Sequence, residues 1–229
     1  MSPQLQALFL KHGVLSHEKQ LYFGEMTQGR AWNFSMDTGK LTFAKRKLFD
    51  KPIEFAAQLI GTSSVAQGAW LWAWANEESA IPSDITKDSL RLRDELGDDA
   101  PEWKTPGFPI DLSAGQDAQL VYTACGMLGA DATFRGATDG GGAYFLLHDH
   151  RLKLPPTSLM RVGLIFPQAL TALALADHRA ALQSYAEQRQ IECEADEQGL
   201  LLKSAGQEAR VKFDEANRMM DWQANLSSL

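Results

Sequence analysis

Hydrophobic residues change their spacing several times along the chain, and each change predicts a new element. They recur with helical spacing over residues 4–28, 84–96, 113–128 and 168–189. Elsewhere they alternate with polar residues, as in strands that bury one face. The predicted strands and hairpins lie at 32–43, 54–59, 68–76, 132–148, 162–166, 191–195, 200–202 and 211–213. A short helix is predicted at 216–222, after the last strand.

The order of these elements predicts an α+β fold in which antiparallel β-meanders pack against helices. Residues 16–60 and 177–213 both predict a helix, a hairpin with an acidic turn and a third strand. Two similar sub-layers are therefore one interpretation, and chance recurrence of a common unit is the other. We expect a single domain over 1–229, with a subdivision near 98–112 that separates 1–97 from 113–229 as the alternative.

Composition and charge exclude several classes of protein. The 229 residues include 45% hydrophobic ones, enough for a core, and 22 Lys and Arg against 29 Asp and Glu, a net charge of −7. This balance argues against sequence-independent binding of nucleic acid, which needs a basic face. Two cysteines are too few for a disulfide scaffold and indicate a reducing compartment.

The chain also lacks the sequence signals of export or membrane insertion. Its first residues show no basic segment followed by a sustained apolar core. The longest apolar run, 169–176, is far shorter than the roughly 20 residues that cross a bilayer. We therefore expect a cytoplasmic protein with no membrane partner.

The most unusual segment is the tryptophan-rich strand at residues 70–76. Trp70, Trp72 and Trp74 would share one face of a strand, followed by Asn76. The rings could line a pocket for a flat or hydrophobic ligand, with Asn76 beside them, because indole combines apolar area with one N–H donor. The favoured interpretation is a core, because large aromatic rings stabilise a domain when they are buried.

Three motifs around this strand form a recognisable combination. They are FSMDTGKLTF at 34–43, QLIGTS at 58–63, and WLWAWAN at 70–76 with Ile81 and Pro82 after it. The combination resembles a family of bacterial proteins of unknown function marked by the WLWAWAN strand. The resemblance covers residues 20–97 and, more loosely, the chain through 148. It implies a bacterial origin and an α+β fold, but no reaction and no catalytic residue.

His148 and His150 are candidate metal ligands that follow a glycine-rich turn. If the strand continued through them, both imidazoles would project to one side at a spacing that suits a divalent cation. Asp139 or His178 would be a third ligand. The simpler interpretation is a solvated strand end, because no HExxH motif or carboxylate cluster accompanies the pair.

The remaining polar residues give weaker signals. Cys125 lies on an apolar helix face, which favours a buried thiol over a nucleophile. Arg135, Arg151 and Arg161 could form an anion site, although scattered arginines are more often surface charges. No nucleophile elbow or cofactor motif occurs, so we expect no cofactor.

These observations favour a non-catalytic protein-interaction module. The net negative charge would steer it toward a basic partner protein. One alternative is a small-molecule binder that uses the Trp70, Trp72 and Trp74 face. A less favoured alternative is a metal-dependent enzyme that uses His148 and His150.

Overall fold

The structure is a computed structural model and describes residues 1–46 and 50–225. In these residues the chain forms five α-helices and eleven strands. The helices are α1 (Pro3–Thr27), α2 (Lys87–Asp94), α3 (Gln116–Met127), α4 (Leu159–Ala172) and α5 (His178–Gln188). The strands are β1 (Trp32–Ser35), β2 (Lys40–Phe43), β3 (Ile53–Ser64), β4 (Ala69–Trp72), β5 (Gly107–Pro109), β6 (Ala132–Thr138), β7 (Gly141–Leu147), β8 (Glu192–Asp196), β9 (Gly199–Ser204), β10 (Gln207–Phe213) and β11 (Met219–Asn225). The predicted α+β class is confirmed.

The first sheet is antiparallel and centres on the long strand β3. Strands β1 to β5 pair in chain order, and the β6–β7 hairpin joins the sheet through a second pairing of β3 with β7. The β1–β2 turn requires Gly39, which has a φ of 63°. The meander and the second hairpin that the sequence predicted are both present.

The second sheet contains β8, β9, β10 and β11 in chain order. Like the first, it follows a helix and is antiparallel, so the described part of the chain contains two antiparallel sheets of different size. The helix predicted at 216–222 is wrong, because β11 covers most of that range. Asp214 Oδ1 accepts hydrogen bonds from the N–H groups of Ala216 and Arg218, and Asn217 has a φ of 58°. After this tight turn the chain continues as strand β11.

Helix α1 is continuous where the sequence predicted an interruption at Gly13. A Cβ at Gly13 would lie 2.8 Å from the Phe9 ring, so the glycine makes room for that ring inside an unbroken helix. Ser16, predicted as a cap, instead donates its hydroxyl to the carbonyl oxygen of Tyr122 at 2.8 Å. Helix α1 therefore reaches α3 through a polar contact.

The region around α4 differs most from the sequence prediction. The strand predicted at 162–166 lies inside α4, whose N-terminus is capped by the Ser158 hydroxyl. The helix predicted at 168–189 is two helices, since α4 ends at Ala172 and α5 begins after Asp177. Asp177 caps α5 by accepting from Ala180 N–H at 2.8 Å, as the sequence suggested.

The described residues bury three hydrophobic clusters. One is rich in phenylalanine and lies around β2, β3 and β7, and one is rich in tryptophan and lies around β4 and α3. The third joins α1, α4 and α5 to β9 and β10. No helix of the described residues has the length and apolar character needed to cross a membrane.

Candidate functional site

The structure places Trp70 and Trp72 in the core of the protein. Their side chains are 1% and 0% exposed, and their ring centroids are 5.1 Å apart. Trp103 lies 5.4 Å from Trp72 on the other side. The Trp72 indole donates to the carbonyl oxygen of Glu102 at 2.8 Å. The two rings pack against protein on all sides.

Trp74 and Asn76 leave the row that the sequence predicted. The strand ends at Trp72, and Ala73–Ala75 forms a single 3-10 turn. Within this turn the Trp74 N–H donates to the Ser89 hydroxyl at 3.2 Å instead of to a neighbouring strand. The Asn76 side chain accepts from Ser79 N–H. The four predicted ligand-binding residues therefore do not form one surface.

His148 and His150 have different surroundings. Strand β7 ends at Leu147, His148 contacts Asp88 with 2.6 Å between Nε2 and Oδ2, and His150 begins a 3-10 turn with an 86% exposed side chain. No group of three His, Cys, Asp or Glu residues that could hold a metal ion occurs in 1–46 and 50–225. The structure thus gives His148 a carboxylate partner from α2 and does not bring the predicted ligands together.

The contact with Asp88 gives a testable prediction about His148. Its hydrogen bond to Asp88 raises the pKa of the imidazole, so the pair stabilises the fold below about pH 6.5 and loses this effect as the pH rises through the raised pKa. We expect Asp88→Asn to lower the pKa of His148, measured by NMR titration of the ring. Asp98→Asn, which removes the carboxylate that pairs with Lys104, is the matched control. A pKa of His148 that is the same in both variants would contradict the assignment.

A groove lies between α1 and α4. Its volume is about 550 Å³, within the range of ligand-binding clefts. Its lining consists of Gln20, Leu21, Gly24, Glu25 and Gln28 from α1 and Arg161, Leu164, Ile165 and Gln168 from α4. The lining combines apolar residues with three glutamines, one glutamate and one arginine.

The first two turns of α4 expose apolar residues that extend beyond the groove itself. Met160 and Leu164, one turn apart, are 59% and 56% exposed. Arg161 is the single charged residue of the helix. On the flank away from the groove, a Cβ at Gly163 would lie 3.2 Å from the Trp222 ring, so this indole packs closely against the helix. We call the surface formed by Met160, Leu164 and the groove lining of α4 the α4 face.

Arg161 is held by a buried carboxylate. Glu18 of α1 is 1% exposed, and its oxygens lie 3.2 Å from Arg161 Nε and 3.1 Å from Arg189 Nε. Tyr185 donates its hydroxyl to the same carboxylate at 2.8 Å. Burial, together with the charge of Glu18, raises the pKa of Tyr185 and keeps it neutral. The cluster therefore contains two positive charges and one negative charge.

The three arginines considered as an anion site occupy separate places. Arg135 bonds to the Tyr144 hydroxyl at 3.1 Å, and Arg151 bonds to Asp149 at 2.6 Å. Arg161 is the one that lines the groove. Sequence reasoning missed this groove because it predicted a strand where α4 lies. The available signal was the spacing of Leu159, Val162, Phe166 and Ala169, which are all buried.

Comparison with known proteins identifies one family. Residues 6–150 match the model described as "Family of unknown function (DUF6882)", which covers more than half of the chain. No curated protein and no solved structure matches the chain. The matched range contains the seven-stranded sheet and α2 and α3, with nearly all of α1. The second sheet, α4 and α5 lie outside it.

Proposed function

The chain belongs to the DUF6882 family, whose function is unknown, and we propose that it is a non-catalytic interaction module that binds an amphipathic helix of a partner protein on the α4 face. The observation that carries this proposal is the exposed apolar pair Met160 and Leu164, on a helix whose one charge is engaged by buried Glu18. An exposed apolar surface of this kind is typical of a docking site.

The shape of the surface favours a helix as the occupant. Met160 lies outside the groove but on the same face as Leu164, so one occupant that covers both must extend beyond the groove. A helix is about 10–12 Å wide and offers apolar anchors on successive turns, which match residues one turn apart on α4. A small molecule confined to the groove would leave Met160 in water.

The two alternative functions have less support. A small-molecule site on the tryptophan strand would need accessible rings, whereas Trp70 and Trp72 are at most 1% exposed. A metal-dependent enzyme would need several ligands together, whereas no group of three His, Cys, Asp or Glu residues that could hold a metal ion occurs in 1–46 and 50–225. The proposed setting is the bacterial cytoplasm. The resemblance to bacterial proteins supports it, as do Cys125 and Cys193, which are not joined by a disulfide.

The charge distribution supports long-range attraction of a partner with a basic surface. Residues 77–102 contain nine Asp and Glu against three Lys and Arg, which accounts for most of the net charge of −7. An uneven charge of this kind accelerates association with a basic protein and loses its effect in salt. Steering of this kind would act on the rate of encounter and not on the contacts made at the α4 face.

Leu164→Lys is expected to weaken strongly the binding of helical peptides to the α4 face. Peptides would be selected from a random library of amphipathic helices against the wild-type protein, and their affinities measured by calorimetry. We expect Leu164→Lys to weaken binding by roughly 30-fold or more, as for a central anchor of an interface. Val65→Lys is the matched control, because Val65 is 65% exposed and lies in the β3–β4 turn.

Two outcomes would overturn the proposal. If no selected peptide depended on Leu164, the α4 face would not be a docking site for helices. If the wild-type protein sedimented as a dimer and Leu164→Lys as a monomer, a second copy of the chain would occupy the face instead. In either case Val65→Lys should behave as the wild type.

A further inference from the structure

On the premise that a partner helix docks on the α4 face, we propose that this helix places an acidic side chain on Arg161. The inference deepens the proposed function by defining the chemistry of the partner at one position. It rests on the geometry of the Glu18 cluster and on the position of Arg161 in the groove.

Arg161 offers hydrogen-bond donors that the protein does not use. Its Nε faces Glu18, which is buried, while 35% of the side chain remains exposed in the groove. Neither terminal nitrogen of Arg161 has a hydrogen-bond partner among residues 1–46 and 50–225. The guanidinium is therefore fixed on one edge and free on the other, a geometry that suits a carboxylate.

The charges around Arg161 also favour an anion. Glu18 is shared by Arg161, Arg189 and neutral Tyr185, so the cluster retains one positive charge. Glu25 is the acidic residue of the groove lining, but it is exposed, and no ion pair within 4.0 Å joins it to Arg161 in the part of the chain that the structure describes.

Docking of an apolar helix would remove water from the free edge of Arg161. An ionised donor that loses water without gaining an acceptor opposes binding. An acidic side chain on the partner helix would replace the lost water with charge-assisted hydrogen bonds. The occupant is thus an amphipathic helix with apolar anchors for Met160 and Leu164 and a Glu or Asp beside them.

The test uses the peptides selected against the wild-type protein that lose binding to Leu164→Lys. We expect these peptides to share an acidic residue at one fixed distance from the apolar anchors. Changing that residue to Gln should weaken binding by about tenfold to a hundredfold, as for a hydrogen bond to a charged group. A Glu→Gln change on the opposite face of the same peptide is the control.

The protein side of the contact is tested with Arg161→Lys and Arg161→Gln. Arg161→Gln should remove the preference for the acidic peptide over its Gln variant, and Arg161→Lys should retain part of it. Arg210→Gln, on the second sheet, should leave the preference intact, because Arg210 pairs with Asp196. Should Arg161→Gln fail to fold, the peptide substitutions still decide the matter, because they leave the protein unchanged.

The outcomes separate this inference from the proposed function. Peptides that depend on Leu164 could lack an acidic residue, or could bind equally well after that residue is changed to Gln. Either result would overturn the contact with Arg161 but not the docking site. A selection that yields no Leu164-dependent peptide would overturn both.

Discussion

Trp72→Ala is expected to lower the free energy of unfolding by about 3–5 kcal/mol, as for other large aromatic residues removed from a core. The Trp72 ring is 0% exposed and contacts the rings of Trp70 and Trp103. Its indole N–H also satisfies the carbonyl oxygen of Glu102. Alanine would leave a cavity and an unsatisfied acceptor at the same place, so both losses add to the effect.

The measurement is urea denaturation followed by far-ultraviolet circular dichroism, which does not depend on the substituted fluorophore. Trp32→Ala is the control, because Trp32 is 38% exposed at the edge of the first sheet, where it contacts Phe134. We expect this control to lose about 1 kcal/mol. A similarly small loss for Trp72→Ala would contradict its place in the core and favour the pocket interpretation.

The tryptophan-rich strand shows where the alternation of residues in the sequence stops predicting the structure. Alternation predicted that Trp70 and Trp72 share a face, and they do. It did not predict that the strand stops before Trp74, whose N–H donates to the hydroxyl of Ser89, fifteen positions away. The local sequence pattern predicts which side chains share a face within a strand. Where the strand ends depends on other groups that form hydrogen bonds with its backbone.

The error at α4 has the same origin as the proposed docking site. In a surface helix, a polar stripe normally interrupts the apolar residues and shows the helical period. In α4 the exposed positions Met160 and Leu164 are apolar too, so residues 162–166 contain no charged or amide side chain and resemble a buried strand. A helix whose outer face is apolar loses the sequence signal by which it would be recognised.

The candidate site residues were hard to predict because their partners are distant in sequence. His148 was considered as a candidate metal ligand or as part of a solvated strand end, yet its partner Asp88 lies sixty positions earlier, on α2. Glu18 meets Arg161, Tyr185 and Arg189, all more than 140 positions away. No spacing rule links such residues, since the fold alone brings them together.

The Glu18 cluster joins the two layers of the described chain. Glu18 lies within the range that matches the family, and its three partners lie in α4, in α5 and directly after α5, outside that range. A buried carboxylate with two guanidinium groups is satisfied only when α1, α4 and α5 are docked together. Its removal should therefore affect the packing of the C-terminal helices before it affects the first sheet.

Glu18→Gln is expected to lower the free energy of unfolding by about 3 kcal/mol, because it leaves Arg189 with no opposite charge in a site where its side chain is only 11% exposed. The loss should lie near the lower end of the usual range for broken buried ion pairs. Arg161 is 35% exposed, and water reduces the penalty on that side of the cluster.

Urea denaturation gives the size of this loss, and hydrogen exchange gives its location. We expect amide protons of α4 and α5 to exchange faster in Glu18→Gln, while those of β3 and β7 change little. Glu25→Gln is the matched control, because Glu25 lies on the same helix and is exposed. It should change the free energy of unfolding by less than about 0.5 kcal/mol. Equal effects of the two substitutions would mean that apolar contacts alone hold α4 and α5 against α1, and Arg161 would then have no fixed orientation in the groove.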